Sequence, residues 1–97
     1  MRAKIDIPGE AAPALLRHVR IQRDRVTDST LLLYPEGALE LDETGVAILK
    51  LCDGTCSLDA IVVRLVERFD AAKQVVEADV KIFLSELISR GFLELRS

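Results

Sequence analysis

The spacing of apolar and polar positions changes along the chain, and the changes mark its elements. Val19-Arg20-Ile21-Gln22-Arg23 alternates, the pattern of a half-buried strand. After a turn at Thr27-Asp28-Ser29, the run Leu31-Leu32-Leu33-Tyr34 leaves no face clearly polar, as suits a central strand. Pro35-Glu36-Gly37 is turn chemistry. Pro sets φ early in the turn and Gly supplies a positive φ, which predicts a hairpin with a three-residue loop. Ala38-Leu39-Glu40-Leu41 alternates again, with Leu39 and Leu41 on one face. These three strands form an antiparallel meander.

From Asp42 the period becomes helical. Asp42 is an N-cap whose carboxylate accepts from free N–H groups of the next turn, and Glu43 adds favourable charge there. The first helix is predicted over Glu43 to Cys52, with Gly54 placed to terminate it. Ser57 caps a second helix, in which Leu58, Ile61, Val62, Leu65 and Phe69 recur at helical spacing. A third runs from about Val75 to Arg90. Val76, Val80, Phe83, Leu84, Leu87 and Ile88 form a broad apolar arc on it, and Ile82 lies off that arc. Gly91 stops this helix, with Phe92 folding back on its last turn. Leu93-Glu94-Leu95 is a candidate short terminal strand. The fold class is α+β and winged-helix-like: a three-stranded antiparallel meander followed by three helices.

Ahead of the meander, residues 1–14 contain Pro8, Gly9 and Pro13 and show no period. They read as a mobile N-terminal arm, with Ala14-Leu15-Leu16 able to dock, before a domain spanning residues 15–97. A chain of 97 residues supports one domain and one modest core. With three Phe, one Tyr and no Trp, that core is aliphatic. No signal-peptide or membrane-span pattern is visible, so a cytoplasmic protein is expected.

Charge and chemistry exclude more than they suggest. A net charge of −3 argues against nucleic acid as the main partner, because phosphate binding rests on clustered Lys and Arg. The outward side of the third helix carries Glu77, Asp79, Lys81, Glu86 and Arg90, three acids against two bases. A winged-helix DNA-binding regulator is therefore disfavoured. No Gly-rich phosphate loop occurs, and His18 is the only histidine. Cys52 and Cys56 flank the corner Asp53-Gly54-Thr55. They suit a redox pair or half a metal site, or simply a small apolar residue and an unrelated turn thiol. No catalytic set, metal site or cofactor is expected.

A meander leaves two edges, and an edge offers unpaired N–H and C=O groups to an extended peptide. The strand Ala38, Leu39, Glu40, Leu41 is a candidate edge. Part of the third helix, at Val80, Lys81, Leu84, Leu87 and Ile88, is its candidate partner in a groove. The open edge also predicts a monomer in dilute solution, with strand-exchanged dimers an option at high concentration.

Several motifs carry a resemblance. They are Leu32-Leu33-Tyr34-Pro35-Glu36-Gly37, the stretch Ile48-Leu49-Lys50-Leu51-Cys52-Asp53-Gly54-Thr55, Glu67-Arg68-Phe69, Phe83-Leu84 and Arg90-Gly91-Phe92. With them the chain resembles the PqqD family of pyrroloquinoline quinone (PQQ) biosynthesis, from about Arg17 to Leu93. It departs from the family pattern at Gln22-Arg23, where Trp is frequent, at Asp42, where Asn is common, and at Cys56, which replaces a usual basic residue. The resemblance implies a non-enzymatic peptide chaperone. It would bind the ribosomally made precursor peptide PqqA and present it to the radical S-adenosylmethionine (SAM) enzyme PqqE. A leader-recognition element of another peptide-modification pathway is the alternative.

Overall fold

The computed structural model describes residues 6–96. The meander is present as β2 (Arg20–Asp24), β3 (Ser29–Tyr34) and β4 (Gly37–Leu41), after a strand β1 (Ala12–Leu15). Then follow α1 (Glu43–Lys50), α2 (Leu58–Phe69), α3 (Lys73–Ser89) and β5 (Leu93–Arg96). The three-stranded sheet has the order β2-β3-β4, all antiparallel, so β3 is central and β4 is an edge. Leu32 of β3 pairs with Ile21 and Leu39. That face turns inward, and Leu32 is fully buried.

The β3–β4 connection differs from expectation. Tyr34 pairs with Gly37, so the loop is the two residues Pro35 and Glu36, and Gly37 opens β4 without a positive φ. A Cβ at position 37 would lie 3.4 Å from the Tyr34 hydroxyl, an ordinary contact distance, so neither φ nor space demands glycine here.

The helices start and stop where their caps dictate. The Asp42 carboxylate accepts from the Gly45 N–H at 2.7 Å, and the Ser57 hydroxyl accepts from the Ala60 N–H at 3.2 Å. At the end of α3 the Phe92 N–H reaches back to the Leu87 carbonyl at 2.9 Å, and Gly91 takes φ +79°. This is the 6→1 bond of a Schellman stop, and it brings the Phe92 ring to 4.6 Å from that of Tyr34. Helix α1 is shorter than predicted. It ends at Lys50 because the N–H groups of Leu51 and Cys52 tighten onto Ile48 and Leu49 three residues back.

The larger correction concerns residues 6–14, which are not a loose arm. Ile7 and Ala11 belong to the core, and β1 pairs antiparallel with β5 from Ala12–Arg96 to Leu15–Leu93. The other side of β1 rests on the corner between α1 and α2. There the Gly54 N–H donates to the Pro13 carbonyl at 3.0 Å and the Leu15 N–H to the Cys52 carbonyl at 3.1 Å. Further back, the carbonyls of Ala11 and Gly9 accept from the Leu58 and Asp59 N–H groups, which the start of α2 would otherwise leave unpaired. The candidate strand at Leu93 is thus real, and its partner is the segment read as an arm. Residues 1–5 of that arm lie outside the described residues.

Candidate functional site: a strand edge beside a helix groove

A groove lies between β4 and helix α3. At the strand end it is lined by Leu39, Glu40, Leu41, Asp42 and Phe83, around a space of about 450 Å³. It continues into a second space of about 480 Å³ that shares Asp42 and Phe83 and adds Gly45, Asp79, Ile82 and Glu86. The Phe83 ring is the hinge of the groove. It comes within 3.4 Å of where a Cβ on Gly45 would sit, an ordinary contact distance, so the ring lies beside the first turn of α1.

The edge of β4 suits strand addition. Ala38 and Glu40 are exposed, Leu39 is half-buried and Leu41 is buried. In an antiparallel ladder every second residue turns its N–H and C=O away from the neighbour. With Tyr34 and Gly37 closing a two-residue loop, those residues on β4 are Ala38 and Glu40. Glu40 also holds its carboxylate on the Ser29 hydroxyl at 2.7 Å.

The helix side of the groove is not lined by the set expected from sequence. Val80, Leu84 and Leu87 are at most 1% exposed and form core. Lys81 is half-buried and paired with Glu77 at 3.5 Å. At 100° per residue, Lys81 stands about 160° around the helix from Phe83, away from β4, and Ile88 shares that flank. The groove takes the neighbouring stripe instead: Asp79, Ile82, Phe83 and Glu86. Ile82 is 58% exposed, and its place off the apolar arc was the available signal. Asp42, read only as a cap, also lines the groove while capping α1.

The cysteines take no part in the groove. Cys52 is buried, and its thiol donates to the Ile48 carbonyl at 3.3 Å. Burial pushes this thiol up to about 12, helped by the neighbouring Cys56 and Asp53. Such a group is protonated and unreactive near neutral pH. Asp53 is held below its usual carboxylate range by the Thr55 hydroxyl and N–H, so the Asp-Gly-Thr corner closes on itself. Among the described residues no group of three or more His, Cys, Asp or Glu side chains is placed to hold a metal ion.

The fold and the groove define a small winged-helix-like α+β module with an open strand edge beside a helix. Residues 29–93 match the family model described as coenzyme PQQ synthesis protein D (PqqD), and the chain belongs to the PqqD family. It is 39% identical over 89 residues to the PqqA binding protein of Rhizobium meliloti (strain 1021), covering 92% of this chain and 91% of that one. It is 44% identical over 84 residues to the PqqA binding protein of Kluyvera intermedia, covering 87% and 90%. Its fold is similar to the solution structure of the PqqD truncation of Methylobacterium extorquens PqqCD, with a TM-score of 0.78 at 36% identity, covering 92% and 95%. That protein is described as a functional and stand-alone recognition element for ribosomally synthesized and post-translationally modified peptides (RiPPs).

Proposed function

We propose that this chain binds a PqqA-type precursor peptide as a fourth strand on β4, over the groove to α3, and presents it to a PqqE-type radical SAM enzyme. The observation that carries the reading is the edge itself. Ala38 and Glu40 face away from β3 beside a groove whose apolar surface, Leu39, Ile82 and Phe83, has no other cover among the described residues. Main-chain bonds to Ala38 and Glu40 supply affinity that depends little on the peptide's sequence. The groove supplies selection, through side chains that point every second residue towards Phe83. The relatives' names as PqqA binding proteins support the identity of the peptide. The reading needs no catalytic group, and it belongs in the cytoplasm, where precursor peptides are made. No helix among the described residues is long and apolar enough to cross a membrane.

The reading is tested by titrating a fluorescent PqqA-type peptide into the chain. Saturable binding at micromolar concentration, competed by unlabelled peptide and weakened by Glu40→Pro, is the expected result. Proline removes an edge N–H and leaves the main-chain pairing with β3 in place, losing only the side-chain bond to Ser29, and an edge is a position where strands tolerate it. Equal affinity in the variant would remove strand addition at β4 from the account.

A further inference from the structure

Helix α1 separates two clefts. The β4–α3 groove reaches Gly45 and Ile48 on one side of it. On its other side, between α1 and α2, lies a space of about 450 Å³. The floor is apolar, with Ala47 and Leu65 buried and Leu51 half-buried. The exposed residues around it are Lys50, Arg64, Arg68 and Glu67, three cations against one carboxylate. In a chain of net charge −3 this is a local inversion of sign. No ion pair holds any of the three cations among the described residues. Arg68 instead lies over the Phe69 ring, 5.4 Å from its centre.

An apolar floor with cations around it is complemented by an amphipathic surface that lowers an aliphatic side chain between carboxylates. A nucleic-acid backbone would use the cations and leave the floor unfilled, and Glu67 would oppose it. Gly45 and Lys50 stand about 140° apart around α1, so one cleft can be filled while the other is occupied. We infer that the α1–α2 cleft docks an acidic amphipathic segment of the enzyme that modifies the peptide, while the peptide lies in the β4–α3 groove. The inference rests on the peptide-presenting reading above. It gives the module two separate faces, one for cargo and one for the enzyme that receives it.

The test measures two affinities in parallel, for a PqqA-type peptide and for a PqqE-type radical SAM enzyme, with the wild-type chain and the triple variant Lys50→Glu, Arg64→Glu, Arg68→Glu. Three charge pairs at the rim predict that enzyme affinity falls at least about tenfold in the variant. Peptide affinity should stay within about twofold, which also reports that the fold is intact. Wild-type affinity for the enzyme should weaken with added salt. The milder pair Lys50→Gln and Arg64→Gln should give a smaller loss in the same direction, without the strain of charge reversal. Unchanged enzyme affinity in both variants would overturn the inference. So would a wild-type chain that binds the peptide and not the enzyme, which leaves the peptide reading standing. A wild-type chain that binds neither removes that reading, and the inference with it. Duplex DNA or a second copy of the chain competing for the cleft in place of the enzyme would also overturn it.

Discussion

Phe83 and Gly45 touch across the junction of α3 and α1, with 3.4 Å between the ring and the position a Cβ on Gly45 would take. The Phe83 ring lines both spaces of the groove. Phe83 is half-buried there, whereas its neighbour Leu84 is fully buried. The two residues should therefore separate binding from stability. Phe83→Ala is expected to weaken peptide binding by about 1–3 kcal/mol, through lost apolar contact. Leu84→Ala is expected to cost about 2–5 kcal/mol of folding stability. Peptide titrations and urea unfolding of both variants check this. A Phe83 variant that binds normally would take the ring out of the site.

The segment 6–14 supplies a second prediction. Ile7 is 1% exposed and packed in the core. Ile7→Ala should lower stability by about 2–4 kcal/mol. A tail that only fringes the domain would give a change near zero. Urea unfolding of the variant measures the difference.

How much of this was legible in the sequence follows from the range of the signals. The Asp42 and Ser57 caps and the Gly91 stop are local, each set within a few residues, and each appears where predicted; the β3–β4 hairpin is local too, but its loop is one residue shorter than its Pro-Glu-Gly signal implied. The pairing of β1 with β5 joins Ala12 to Arg96, and no local period announces it. Pro13 and the small residues Ala12 and Ala14 hide the strand further. Of the candidate groove, half was legible. The β4 edge followed from the alternation at Leu39 and Leu41. The helix stripe did not, because an apolar arc marks what faces the core, and the groove uses the positions beside it. Ile82 and Phe83 differ from Val80 and Leu84 by which neighbour each meets, and that depends on how α3 crosses the sheet.

Cys52 predicts a pH dependence. Its thiol is pushed from 9.0 up to about 12 in the folded chain, so the unfolded chain loses this proton first. The stabilising contribution is complete below the unfolded value and is lost as pH rises from about 9 to about 12. Comparing alkaline unfolding of the wild type with Cys52→Ala isolates the effect from other groups that titrate there. The wild type should fall more steeply over that range. A thiol-specific reagent near neutral pH should modify Cys56 well before Cys52, and the reverse order would contradict the burial of Cys52.

The open edge predicts competition. If β4 is the site of strand exchange between copies, a dimer formed at high concentration should dissociate as a PqqA-type peptide is added. Light scattering during the titration reads this directly. A dimer that persists at low micromolar concentration with peptide bound would mean that copies pair elsewhere.

The central claim is that the peptide adds to β4 over the α3 groove. Its most direct test is an amide-shift map of the isotope-labelled chain during titration with a PqqA-type peptide. Ala38 and Glu40 should gain main-chain partners, each worth on the order of 1 kcal/mol, and their amides should move furthest. Asp42, Asp79, Ile82, Phe83 and Glu86 should follow, with the α1–α2 cleft and β2 unmoved. Shifts confined to β2 or to the α1–α2 cleft, with residues 38–41 silent, would contradict the account.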